Sequence, residues 1–145
     1  MSLLTETDLA EIGAVLPRLY AAVGWSAARA PDWDAFRRCC HRQAMLVPMG
    51  SGAATPVPLD AFVAAMEGQR SSGAVGSLDE VELGHRVEGY GNLASVCSGF
   101  VATIDGIGRR GVTFAHLVRE EGRWLILAAA WENEREEAPL PAGLI

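Results

Sequence analysis

The chain predicts an α+β fold in which a curved, mainly antiparallel β-sheet forms a cone closed by three N-terminal helices. Two observations point there. Residues Leu78 to Asn133 read as four strands in series, separated by turn signals at Gly89-Tyr90-Gly91-Asn92, Asp105-Gly106-Ile107-Gly108 and Glu120-Glu121-Gly122-Arg123. The stretch ahead of them carries mostly helical periodicity. Helices followed by a meander is the layout in which helices cover one face of a sheet. A curled sheet under a helical lid encloses a hollow, which suggests a small-molecule binder or an enzyme.

The elements follow in order. Leu9, Ile12, Leu16, Leu19, Tyr20 and Val23 recur at spacings of three and four, so a helix is predicted over 7–25. Thr5, Thr7 and Asp8 are its capping candidates, and Pro17 should kink or split it. Asp32 caps a second helix with Trp33, Phe36, Cys39 and Cys40 inward, ending near His41. A strand is expected over 44–49, then a Gly/Pro loop with an extended piece at Val57. A third helix covers 59–70. Residues 7–133 form the core of a single domain spanning 1–145, and 134–145 form a charged, proline-containing tail.

Size and charge bound the function. The 145 residues suffice for one domain with a full core, and the composition is far from that of disordered chains. A net charge of -6 argues against nucleic acid and anionic membranes as partners. The longest apolar run, Trp124 to Trp131, is too short to span a bilayer. The N-terminus lacks a signal-peptide pattern, so a cytoplasmic location is expected. Cys39, Cys40 and Cys97 have neither disulfide nor zinc spacing and read as core thiols; no metal and no cofactor is expected.

Strand alternation assigns the inward face. Val81, Leu83, His85 and Val87 alternate with polar residues, which puts His85 inside. A turn at Tyr90-Gly91 pairs Val87 with Ala94 and continues the inward set through Val96, Ser98, Phe100 and Ala102. On the next strand Val112, Phe114, His116 and Val118 form the more apolar set, which brings His85, Ser98, His116 and Trp131 together. A one-residue change at the Asp105–Gly108 turn would instead move His116 and Trp131 outward and bring in Thr113, Leu117, Trp124 and Ile126. Both faces are rather apolar, so the outer face is expected to be covered, most simply by a second copy of the sheet.

The order of elements, with Asp32-Trp33-Asp34-Ala35-Phe36, Leu59-Asp60-Ala61-Phe62-Val63, Tyr90-Gly91-Asn92-Leu93 and Gly122-Arg123-Trp124-Leu125-Ile126 through Trp131-Glu132-Asn133-Glu134, resembles the nuclear transport factor 2-like (cystatin-like cone) superfamily. The likeness is to its polyketide-cyclase-like and ketosteroid-isomerase-like branch. It implies the cone fold and a pocket, while members host unrelated chemistries. Tyr20 stands where the isomerase-like members place an oxyanion-stabilising tyrosine. Pro48 falls where they place the base, and only Phe114 and His116 lie near their second acid, so that activity does not carry over. Polyketide-cyclase-like members use a pocket acid or histidine on the later strands, a place His85 or His116 could take.

The residues then support two readings. In the first, a cofactor-free enzyme of isomerase, cyclase, dehydratase or hydrolase type uses His85 as general base, with Tyr20 and His116 as hydrogen-bond donors. Trp25, Trp33, Ser98, Phe100 and Trp131 would line the site for a small apolar or aromatic molecule. In the second, the chain is a non-catalytic binding or dimerisation module. The absence of an inward carboxylate favours the second, and a polar pair in a mostly apolar pocket favours the first; His85, Tyr20 and the tryptophans each have a plain core role as their alternative.

Overall fold

The structure, a computed structural model, describes residues 4–50 and 52–145. The expectations for Met1–Leu3 and for Ser51 in the Gly/Pro loop fall outside the described residues. Helix α1 (Glu6–Val23) begins at a capping box: the Asp8 amide donates to Thr5 Oγ1 and the Thr5 amide donates to the Asp8 carboxylate. It is one continuous helix with Pro17 inside it, not two. Helix α2 (Trp33–Arg38) is capped by Asp32, as expected, but it ends three residues earlier than the apolar spacing suggested. Cys39 is its C-cap. His41, expected at a helix end, lies on strand β1 (Cys40–Pro48), buried with its Nε2 3.1 Å from Glu120.

A two-residue strand β2 (Val57–Pro58) leads into α3 (Leu59–Ser71). Strands β3 (Leu78–Tyr90), β4 (Leu93–Ile104), β5 (Ile107–Glu120) and β6 (Arg123–Asn133) form the meander. The single sheet runs β2-β1-β6-β5-β4-β3, with β1 parallel to β6 and the other pairs antiparallel. Two hairpins turn on Asp105-Gly106 and Glu121-Gly122, whose positive φ values at both positions are those of a type I′ turn. The remaining hairpin turns at Gly91-Asn92, two residues of register away from the expected Tyr90-Gly91 pairing, so that Val87 faces Val96 and His85 faces Ser98. A shift of two keeps the β4 side chains and those of β3 after the Glu82/Gly84 bulge, His85 and Val87, on their expected faces; before the bulge the faces are reversed, with Val81 outward.

Helices α1 and α3 pack on the concave face. Ile12, Leu16, Leu46, Leu117 and Ile126 are buried almost completely between the layers. Asp8 ties the start of α1 to the sheet through Arg119, at 2.8 Å. The C-terminal tail crosses the convex face instead. Leu144 is fully buried there against Gly84 and Gly99, where a Cβ at Gly99 would lie 2.1 Å from the Leu144 carbonyl oxygen.

Candidate functional site

Between α1, α3 and the concave face lies a cavity of about 310 Å³. That is the lower end of the size range of small-molecule pockets. Phe36, Phe62, Phe100 and Trp131 give it aromatic walls, and Leu46, Pro48 and Val57 close the end formed by β1 and β2. Its polar groups are few: Tyr20, Gln69, Glu80 and Thr113.

Glu80 decides the chemistry. Its side chain lies among many neighbouring atoms but opens onto the cavity, which leaves the residue half-buried. Among the described residues its carboxyl has neither a hydrogen-bond donor nor a cationic partner within ion-pairing distance. Burial, with a smaller push from Asp79, raises its pKa from 4.5 to about 7. A carboxyl poised there exists in both protonation states near neutral pH, as proton transfer requires.

A second polar system runs beside it. The Ser98 hydroxyl donates to Glu82 Oε2 at 2.7 Å, and His85 Nδ1 lies 2.6 Å from Glu82 Oε1. The Tyr20 hydroxyl is 3.0 Å from both Ser98 Oγ and Thr113 Oγ1. One hydroxyl proton cannot serve two acceptors, so the directions are fixed when Glu82 is ionised. Ser98 spends its proton on Glu82, Tyr20 donates to Ser98, and Thr113 donates to Tyr20. His85 then gives Nδ1–H to Glu82. Burial of the Tyr20 phenol lifts its pKa to about 12, which keeps it a neutral donor.

No family model and no curated protein sequence matches the chain. Solved structures do. A protein of unknown function with a cystatin-like fold from Nostoc punctiforme superposes with a TM-score of 0.72, covering 94% of this chain and 97% of its own, at 11% identity. The Kfla4162 protein of Kribbella flavida gives a TM-score of 0.72 over 90% of this chain and 93% of its own, at 21% identity. An NTF2-like protein of unknown function from Shewanella baltica gives 0.62 over 92% and 99%, at 14% identity. The chain has the nuclear transport factor 2-like, or cystatin-like, fold.

Within this cystatin-like cone the expected site residues separate. Tyr20, Phe100 and Trp131 line the cavity. Ser98 is fully buried just behind it, as the acceptor for Tyr20. His85 is on the concave side but not in the cavity; it sits at the rim beside Gly13 of α1, with about a third of its side chain exposed. His116 points the other way, from the convex face, with Nδ1 3.0 Å from Ser95 Oγ. Phe114 is 65% exposed on that same face. The phase that places Thr113, Leu117, Trp124 and Ile126 inside is the one the chain adopts, because the turn is the tight Asp105-Gly106 pair. Trp131 nevertheless stays inside, since a register shift between β5 and β6 at His116/Leu117 restores its phase opposite Thr113. Trp25 is a core residue whose indole N–H donates to the Val75 carbonyl, and Trp33 donates to Glu67 outside the cavity.

The inward carboxylates, Glu80 and Glu82, are absent from the alternation-based assignment. Leu78, Glu80 and Glu82 face inward until a bulge between Glu82 and Gly84 shifts the phase, after which His85 and Val87 face inward. Gly84, an isolated glycine within a strand, is the local signal for that bulge.

Among the described residues no group of three or more His, Cys, Asp or Glu side chains gathers as a metal site would require. Among the described residues no helix is long and apolar enough to cross a membrane.

Proposed function

We propose that the protein binds a small, flat, largely apolar molecule in the cone and exchanges a proton with it through Glu80. The observation that carries this is the half-buried, unpartnered Glu80 carboxyl facing an aromatic-walled cavity, its pKa raised to about 7 by desolvation. Glu80 takes the general-base role that sequence alternation suggested for His85. A base acting on a C–H beside a carbonyl, as in an isomerase, cyclase or dehydratase, suits such a group. Hydrogen–deuterium exchange at the α-carbon of a small aromatic ketone, 1-indanone, followed by NMR in heavy water, tests the reading. Wild type should accelerate exchange with a rate that climbs through about pH 7, and Glu80→Gln should lose the acceleration. Equal rates with and without protein would reject the catalytic role.

The hydrogen-bond directions support a second reading, binding without turnover. With Glu82 ionised, the protons of Thr113 and Tyr20 are both spent inside the protein, so neither hydroxyl is left to stabilise an oxyanion. Saturable 1-indanone binding without exchange would favour it.

The exposed Val81, Phe114 and Leu127 give the convex face an apolar character that supports a homodimer through the sheet. Sedimentation equilibrium should return a dimer for wild type and a monomer for Phe114→Glu. The three free cysteines suit a reducing compartment such as the cytoplasm.

A further inference from the structure

The chain has twelve basic residues, and all are arginine. Arg37, Arg42, Arg70, Arg110, Arg119 and Arg135 are paired with carboxylates. Arg18, Arg29, Arg38, Arg86, Arg109 and Arg123 have no carboxylate partner among the described residues. Four of these, Arg18, Arg29, Arg38 and Arg123, line one open cleft of about 940 Å³ between α1, α2 and the start of β6, on a different face of α1 from the cavity. In an acidic protein, unneutralised cations would be expected to scatter. Their gathering in one cleft is the feature that needs a reason.

Each arginine reaches the cleft from a different element. Glu11, Val15, Arg18 and Ala22 follow one another by four, three and four residues, and so form one face of α1; Leu19, Tyr20 and Val23 form the cavity face. Arg29 sits in a tight loop closed by reciprocal backbone bonds with Ser26. Arg38 ends α2. Arg123 follows the Glu121-Gly122 turn and spans the cleft to donate to the Arg38 carbonyl at 2.7 Å. Three of the guanidinium charges act together on one point: Arg18, Arg38 and Arg123 all pull the Cys39 thiol pKa down, against the stronger upward push of burial. The alanines at 21, 22, 30 and 35 leave the space between them open. Glu11 and Asp32 also line the cleft, so four cations face two carboxylates and two positive charges remain.

We propose that this cleft is a phosphate site, taking inorganic phosphate or a phosphate monoester as a dianion. Guanidinium forks match phosphate oxygens in paired hydrogen bonds, and the surplus of two charges matches a dianion. An open cleft lets the organic part of an ester project into solvent.

Calorimetric titration of the full chain with inorganic phosphate, and separately with phenyl phosphate, at constant ionic strength and mildly alkaline pH tests the site. Wild type should bind at one saturable site. Arg18→Ala/Arg38→Ala should weaken binding by about tenfold or more, as loss of two charge-assisted contacts implies. Arg86→Ala/Arg109→Ala removes the same charge elsewhere and should leave affinity within about twofold of wild type. Arg18→Lys/Arg38→Lys keeps the charge but not the forks, and should fall between. Tighter binding of phenyl phosphate would assign the ester and the reverse the free anion; both support the site. No saturable binding of either probe overturns the proposal, as does equal loss in the two alanine variants or none in Arg18→Ala/Arg38→Ala. Thermal melts of each variant separate loss of the site from loss of the fold.

Discussion

Glu80 and Glu82 lie two residues apart on the same face of β3, yet they occupy opposite chemical regions. Glu82, towards the rim, receives the Ser98 hydroxyl and the His85 imidazole. Glu80, in the cavity, receives nothing, and its pKa rises to about 7. The contrast follows from desolvation that no donor offsets at Glu80 and from donors that converge on Glu82. Beyond Glu82 the strand bulges and returns His85 to the concave side, where it meets the carboxylate. Around Glu80 the walls are aromatic and aliphatic, and the nearest hydroxyls have spent their protons on each other. A buried carboxylate is structural when donors converge on it and reactive when they do not.

The largest effect should come from removing the unpartnered charge. A carboxyl whose folded pKa lies above its unfolded value contributes stability that is complete below about pH 4.5 and is lost as pH rises through about 7. Glu80→Gln should therefore be neutral in acid and should stabilise the protein above pH 7, by an upper limit on the order of 3 kcal/mol. Urea unfolding at the two ends of that range would reveal it, and equal midpoints for variant and wild type at both ends would erase the contrast.

Glu82→Leu should move stability the other way. It removes the strongest acceptor of the fully buried Ser98 hydroxyl, which then turns its proton to Tyr20 while Tyr20 donates to Thr113, at a net cost of about 1.5 kcal/mol. Tyr20→Phe should cost about 1 kcal/mol, because Ser98 loses the donor it accepts from but keeps Glu82 as its acceptor, and Thr113 loses its partner. His85→Ala should be the mildest, within about 1 kcal/mol, since the ring is partly exposed. A His85 effect larger than that of Glu82 would reverse the assignment of which group anchors the chain of hydroxyls.

Much of the fold was legible in the sequence. The element order, the Asp32 cap, the inward face of β4 and the turn at Glu121-Gly122 follow directly from periodicity and turn chemistry. The docking of the tail was not legible: its sequence reads only as charged and proline-containing, and the glycine track at Gly84 and Gly99 that receives Leu144 carries no periodic signal. The site was less legible because two local register shifts, on β3 and between β5 and β6, break strict alternation. The convex face also carries apolar residues, so on β5 the more hydrophobic set, Phe114 with Val112, turned out to be the outer one. On β3 the inward glutamates were masked by Val81, which is about half exposed on that outer face. Hydropathy assigns a face only when the opposite face is polar.

The most direct test of the account is an NMR titration of the Glu80 side-chain carboxyl carbon. It should show a midpoint near pH 7 that ligand binding in the cone displaces. A midpoint at the ordinary value of 4.5 would mean that the carboxyl is solvated or paired, and the cavity would then hold no group able to exchange a proton at neutral pH.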